Sequence, residues 1–443
     1  MSKIIVAATP ITGHTGPLLR IAAHLAGQGH QVAFLGGSRY AAGARSRGLA
    51  FTALPAEADY DDRDFTAAFR KRERVPTGLA RVLWDVMHLF GDPLPAQYRA
   101  LRALLADFPA TTVLHDSLFL GGVALAGALS PEQRPTVLAV GTTPLTLPSR
   151  DTAPPMLGLL PPTNDEERTR YAELRRQLAE RLAPAFAHVN NRFAAAGVPI
   201  EPDSSPLSST AFCDRYLQLT VPAFEFPRSD LPANVSFVGP LPIPADPGAA
   251  EPDWWPRLAE ARSEGRRVVV VTQGTLANAD LDALLTPTVR ALAHREDLLV
   301  IAATARADAA DLLPDPPANT VVTGFVPFDT LLPHADVLVT NGGYGGVQAA
   351  LGHGVPVIAA GDTEDKPEVA ARVQWTGTGI NLRTGHPTQD ALANAVDTVL
   401  ADPGHRERAK ALAEQYKEYD TLCLIAALTE ESAPWTPPDC LKR

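Results

Sequence analysis

The chain has 443 residues, more than one hydrophobic core ordinarily organises, so two domains are expected. Its 45% hydrophobic and 20% charged residues are those of an ordinary folded protein, and a net charge of −11 argues against nucleic acid or anionic membrane as partners. Cys213, Cys423 and Cys440 are odd in number, widely spaced and without CxxC pairing, which excludes a disulfide framework and a zinc site built on paired cysteines. The opening MSKIIVAATP has too short an apolar run for a signal peptide, and no stretch approaches the ~20 apolar residues that span a bilayer. A cytoplasmic protein is expected.

Residues 3–9 read as a buried strand, 16–27 as an amphipathic helix closed by Gly29, and 31–35 as a second strand. This βαβ opening predicts a parallel sheet with crossover helices. The turn TPITGHTGP after the first strand lacks GxGxxG spacing, which argues against an NAD or FAD protein. His14, on this turn, either faces a cleft or lies in water at a helix start. Residues 60–107 are expected to be mostly helical, broken near Gly91-Asp92-Pro93, with Trp84 and Met87 on one helix face. Asp59 and Asp61 have the look of a metal-binding pair. They belong to the acidic run DYDDRD at a helix start, where carboxylates are expected in any case.

A strand at 112–114 runs into His115-Asp116-Ser117, and alternation along a strand lets only one of His115 and Asp116 face a cleft. Phe119 follows in the loop, before a helix at 121–129. The next strand, 136–140, leads to Gly141-Thr142-Thr143-Pro144, and the proline-rich loop 147–162 is long enough to be a binding loop. A long charged helix at 164–197 and strands at 216–220 and 235–238 complete an N-terminal domain over 1–238. Residues 239–253 are the linker, proline-rich and aperiodic. A second domain is expected over 254–415, and 416–443 as a C-terminal helix and tail that packs back on the first domain.

In the second domain, a strand at 267–272 ends in Gln273-Gly274-Thr275, and strands follow at 298–303 and 320–323. The strand at 337–340 runs into Asn341-Gly342-Gly343 and a helix over 344–352, which Gly354 and Pro356 stop. The strand at 356–360 then ends in GDTED. In an open parallel sheet these strand ends fall on one edge, where ligands bind. Glycines at a helix start admit an anion to the backbone N–H groups, while an acidic turn one strand away suits sugar hydroxyls. A diphosphate joined to a sugar fits both. Lys366, one of only six lysines, sits in that acidic turn. Beyond 388 there are only two amphipathic helices, at 389–400 and 406–419.

Phe325-Val326-Pro327, Pro333-His334-Ala335-Asp336, Gly343-Tyr344-Gly345-Gly346, Gly354-Val355-Pro356 and Asp365-Lys366-Pro367 occur in this order over about fifty residues. Together they resemble the donor-binding signature of the GT-B nucleotide-sugar glycosyltransferases, the family of the UDP-glycosyltransferases and of bacterial macrolide-type natural-product glycosyltransferases. Gly13, His14 and Pro17 match that family's Gly-His-x-x-Pro turn. The resemblance implies an α/β fold of two facing Rossmann-like domains with the active site in the cleft. It implies an inverting, metal-independent transfer of sugar from a UDP- or dTDP-sugar to a hydroxyl of a small, largely apolar acceptor. The nucleotide sugar is then a co-substrate, and no cofactor is expected.

It also implies roles. His14 is the base and Asp116 its hydrogen-bonded partner, while Trp84, Phe90 and Phe119 wall the acceptor pocket. Thr143 touches the donor sugar, and Gly274 and Thr275 touch the diphosphate. Phe325 stacks on the pyrimidine, whose edge the backbone of Val326 reads. Asn341, Gly343, Tyr344, Gly345 and Gly346 receive the diphosphate, and Asp365 and Lys366 the sugar. The family usually has His at 341, Glu at 349 and Gln at 366, where this chain has Asn, Ala and Lys. Lys366 thus either reaches the sugar or pairs with Glu364 and Asp365 to shape the turn. An epimerase of the same architecture needs no walled acceptor cleft. A non-catalytic partner needs no oriented base.

Overall fold

The computed structural model describes residues 1–198, 209–242, 252–274, 280–306 and 308–430. Most of the expected linker, Thr275 and the tail beyond 430 lie outside the described residues. Seven parallel strands form the first sheet: β1 Lys3–Ala7, β2 Gln31–Gly36, β3 Ala50–Ala53, β4 Thr112–Asp116, β5 Thr136–Gly141, β6 Arg215–Gln218 and β7 Val235–Phe237. Their order is β3-β2-β1-β4-β5-β6-β7. Six more form the second: β8 Arg267–Thr272, β9 Leu298–Ala303, β10 Thr320–Thr323, β11 Val337–Thr340, β12 Val357–Ala359 and β13 Gly379–Asn381, in the order β10-β9-β8-β11-β12-β13. Both sheets carry apolar clusters on each face, as a parallel sheet covered by helices requires. Val268 to Val271 are accordingly all fully buried.

Strand order reverses between β1 and β4 and again between β8 and β11, which makes two switch points. Register then decides what meets there. Ala7 pairs with His115, so the chain leaving β1 emerges beside Asp116. Thr272 pairs with Thr340, so Gln273 and Asn341 emerge together.

Two local expectations change. The first helix begins at Thr12, not at residue 16, so Gly13 and His14 are in its first turn and Pro17 lies within it. There Pro17 forfeits a single bond, to the carbonyl of Gly13. The region 60–107 is more broken than expected, with a π-helical turn at Asp85–Gly91 leading to the Leu94–Asp107 helix. The long helix runs Asp165–Ala195, held at its start by Asn164, which accepts from Glu167 N–H. After the helices Gln389–Ala401 and Pro403–Lys417, a last helix, Thr421–Glu430, crosses back to the first domain. Its Leu424, Ile425 and Leu428 pack in the cluster with Ile4 and Leu18, and Thr112 Oγ1 donates to Thr429 O at 3.2 Å.

Candidate active site

Between the two sheets lies a cavity of about 2120 Å³, lined from both. His14 reaches it from the first turn of its helix. The Nδ1 of His14 is 2.9 Å from Asp116 Oδ1, and Thr142 Oγ1 lies 3.0 Å from the same nitrogen. Nδ1 is thus occupied, which leaves Nε2 as the nitrogen for a substrate. Asp116 is fully buried and also accepts from Thr9 N–H at 2.6 Å and Leu118 N–H at 3.0 Å. Burial pushes its carboxyl up, but the His14 imidazole and these N–H groups outweigh burial and hold it below the ordinary value. His115 points the other way, into the core, 3.3 Å from Cys213 Sγ. Alternation predicted that split, whereas Thr9 and Thr142 had no signal of their own in the sequence.

On the opposite wall the Tyr344–Gly352 helix starts at Gly343, and Gly343, Gly345 and Gly346 line the cavity. Tyr344 is buried, its hydroxyl accepting from Gln218 Nε2 at 2.9 Å. Gly274 and Asn341 lie beside them, and Asn341 gives one amide N–H to Gln273 O. Thr143 lines the wall next to Thr142, and its carbonyl accepts from Gln218. Phe325 is 75% exposed, an aromatic face that no core packing claims, and Val326 beside it is buried. Asp365 and Lys366 complete this wall. A Cβ at Gly361 would fall 2.0 Å from Asn341 O, so only glycine lets the acidic turn lie this close to β11.

Within that turn Glu364 adopts a left-handed φ of 50°, rare for a residue with a side chain. Lys366 Nζ is bonded to Glu364 Oε2 and lies 3.3 Å from Thr363 Oγ1, so its charge is directed along the turn. Burial raises the Glu364 carboxyl, yet Lys366, Thr363 and Arg72 bring it down to about 2. Half-buried Asp365 goes the other way, raised by burial and by Glu364 against the pull of Lys366. Arg72, from the first domain, bonds Asp85 at 2.7 Å and Glu364 at 3.2 Å and so crosses the cleft.

The expected acceptor wall needs correction. Phe90 lines the cavity, but Trp84 and Phe119 are not among the lining residues. Trp84 turns to Phe69 and His88, its ring 6.0 and 4.9 Å from theirs. Phe119 is fully buried in the first core, because its N–H bonds Asp116 O and the tight turn aims the ring inward. Val86, Leu89, Leu147, Leu182 and Phe186 form the apolar wall instead. Asp59 caps Ser38 N–H, and Asp61 pairs with Arg63; neither lines the cavity.

Comparison with known proteins agrees with this geometry. Residues 288–420 match the family described as the erythromycin biosynthesis protein CIII-like, C-terminal domain. The chain is 38% identical to UDP-glycosyltransferase 2 of Phaeomoniella chlamydospora over 97% of its own length and 95% of the relative's. It is 37% identical to 4'-demethylrebeccamycin synthase of Lentzea aerocolonigenes over 97% and 99%. In fold it is similar to the glycosyltransferase of kitacinnamycin (TM-score 0.73, 22% identity, 98% and 99% covered). It is also similar to the calicheamicin glycosyltransferase (TM-score 0.71, 18% identity, 98% and 100% covered). Two facing Rossmann-like domains with a His–Asp pair at one strand edge and a glycine-led helix at the other define a glycosyltransferase of the GT-B class. The chain belongs to the nucleotide-sugar glycosyltransferase family. Among the described residues no helix is long and apolar enough to cross a membrane.

Proposed function

We propose that the chain transfers a sugar, with inversion and without a metal, from a nucleoside diphosphate to a hydroxyl of an apolar natural-product acceptor. The observation that carries this is one cavity holding both the His14–Asp116 pair and the glycine-led helix start. His14 Nε2 takes the proton of the acceptor hydroxyl while its oxygen attacks the anomeric carbon. The bond from that carbon to the β-phosphate oxygen breaks on the opposite side, and the nucleoside diphosphate leaves with the electron pair. Asp116 stabilises the imidazolium formed at His14. Amides at 343–346 and the helix dipole take the charge on the leaving diphosphate. Phe325 stacks on the base, and Asp365 holds sugar hydroxyls, with Lys366 shaping its turn through Glu364.

UDP-sugar is the nominal donor, supported by the names of relatives such as UDP-glucosyltransferase B1 of Starmerella bombicola. dTDP-sugar stands close behind, since a spinosyn rhamnosyltransferase of similar fold is known with thymidine diphosphate. The same rhamnosyltransferase, solved with its aglycone, supports a natural-product acceptor, and the apolar wall supports a largely apolar one. An epimerase leaves that wall unused. Incubation with UDP- and dTDP-sugars and a library of hydroxylated acceptors, read by mass spectrometry and anomeric NMR couplings, tests the proposal. Glycosides of inverted configuration are expected. Retained configuration, or sugar isomerisation without transfer, overturns it.

A further inference from the structure

One cluster of side chains takes no part in this chemistry. His88 lies in the π-helical turn Asp85–Gly91, Asp92 follows it directly, and His188 comes from the Asp165–Ala195 helix that packs across it. His88 Nδ1 is 2.7 Å from Asp92 Oδ2, and His188 Nε2 is 2.8 Å from Asp92 Oδ1. The wider π turn carries His88 and Asp92, four residues apart, to one side. Gly91 allows the long helix to approach: a Cβ there would meet Val189 Cγ2 and Val86 O, both at 3.0 Å. The three nitrogen and oxygen atoms lie within 4.8 Å of one another, and the side chains are 37%, 38% and 24% exposed. An ion therefore has access from solvent.

We propose that His88, Asp92 and His188 bind a divalent transition-metal ion, Zn²⁺ above all, and that the ion clamps the two helices walling the acceptor side of the cavity. Two imidazoles and one carboxylate suit Zn²⁺, Co²⁺ or Ni²⁺, whereas Mg²⁺ and Ca²⁺ prefer oxygen alone. An imidazole whose proton sits on the ring nitrogen away from Asp92 offers the nearer nitrogen's lone pair to the metal. Water completes the coordination.

Arg192 opposes the ion, since its Nε is 2.9 Å from Asp92 Oδ1 and 3.4 Å from His188 Nε2. Its side chain is 41% exposed and swings into solvent when the ion enters. Val86, Leu89 and Phe90 on one helical segment and Leu182 and Phe186 on the other line the cavity. The clamp therefore acts on acceptor binding, and His14 and Asp116 are untouched.

Calorimetry with Zn²⁺ and visible absorption with Co²⁺, both on the full chain, test this. One site in the micromolar range is expected, with ligand-field bands of tetrahedral Co²⁺ and no displacement by millimolar Mg²⁺. His88→Ala and His188→Ala each weaken binding by at least ~10-fold, the loss expected when a metal site loses an essential group. His188→Gln, which keeps bulk and polarity, serves if the alanine variant does not fold. Arg192→Ala tightens binding, an effect that a purely structural His–Asp network does not produce. Saturating Zn²⁺ shifts the acceptor KM and leaves nucleotide affinity unchanged. Absence of binding at ~100 µM Zn²⁺, or equal binding by the histidine variants, overturns the site. Binding with an unchanged acceptor KM overturns the clamp.

Discussion

Asp116 is a buried carboxylate surrounded by donors: the N–H groups of Thr9 and Leu118, the Thr9 hydroxyl and the His14 ring. Such a group holds its charge where an isolated buried carboxylate does not. His14→Ala is expected to lower turnover by ~10²–10⁴ while nucleotide affinity, measured by calorimetry, stays nearly unchanged. Asp116→Asn keeps the shape without the charge and gives a smaller loss. Near-wild-type turnover of His14→Ala on an ordinary alcohol sinks the mechanism. Lys366 is a second residue-scale case. Its partner Glu364 sits at about 2 against an ordinary 4.5, so the pair's contribution is present above pH 4.5 and lost as pH falls toward 2. Because the Glu364 side chain is 42% exposed, Lys366→Gln costs only ~0–1 kcal/mol at neutral pH. Denaturation at a series of pH values should show the gap from wild type closing over that acid range. The ranking of donor sugars is expected to survive; a changed ranking means that Lys366 touches the donor.

At the scale of elements, the Tyr344–Gly352 helix combines two decisions. Its start presents amides and the positive end of a dipole to the cavity, which on the proposed mechanism take the leaving diphosphate's charge. Transfer is therefore expected to survive EDTA, and full loss with recovery on Mg²⁺ or Mn²⁺ speaks for a metal-bridged donor. Its second turn carries Ala349, which lines the cavity and has nothing to offer a ribose hydroxyl. Neighbouring Gln348 is buried and gives its amide to Leu219 O at 2.8 Å, so it does not compensate. UDP and dTDP should accordingly bind within about tenfold, or 1.4 kcal/mol, in calorimetric titration. A UDP preference beyond roughly a hundredfold implies another reader of the ribose. Asp329 on the same wall, whose Oδ1 is buried with no partner among the described residues, is the carboxylate to test then.

For the whole molecule, the most consequential contact lies away from the reaction. Arg372 is fully buried in the second domain and bonds Glu225 at 2.7 Å, Leu145 O at 3.0 Å and Glu368 at 3.0 Å. Burial works against its charge, but Glu225 and Glu368 more than restore it. Its guanidinium also lies 4.5 Å from the centre of the Phe226 ring. Arg372→Ala leaves buried Glu368 without its cation and Glu225 with only Arg228, 3.6 Å away, a loss of ~3–5 kcal/mol by the usual behaviour of broken buried pairs. Chemical denaturation checks this; a loss below ~1 kcal/mol means that water or rearrangement satisfies both glutamates. Gln218 to Tyr344, Gln348 to Leu219 and Arg72 to Glu364 cross between the domains as well. The wall with the glycine-led helix start is thereby tied to the wall that holds His14 and Asp116.

Local chemistry by itself determined much of this. Apolar runs placed the central strands, glycines marked the helix start at Gly343, and alternation separated Asp116 from His115. These are properties of neighbours along the chain, and neighbours are visible in a sequence. Strand register decided the rest. Only the pairing of Ala7 with His115 sets Thr9 on Asp116, and only the turn after β4 buries Phe119 where an acceptor contact was expected. The family resemblance implies a pocket role for Trp84, whereas its ring packs against Phe69 and His88. The Arg372 cluster joins residues more than a hundred positions apart. No period or spacing encodes such contacts, because they arise only when two complete sheets have formed and been brought face to face.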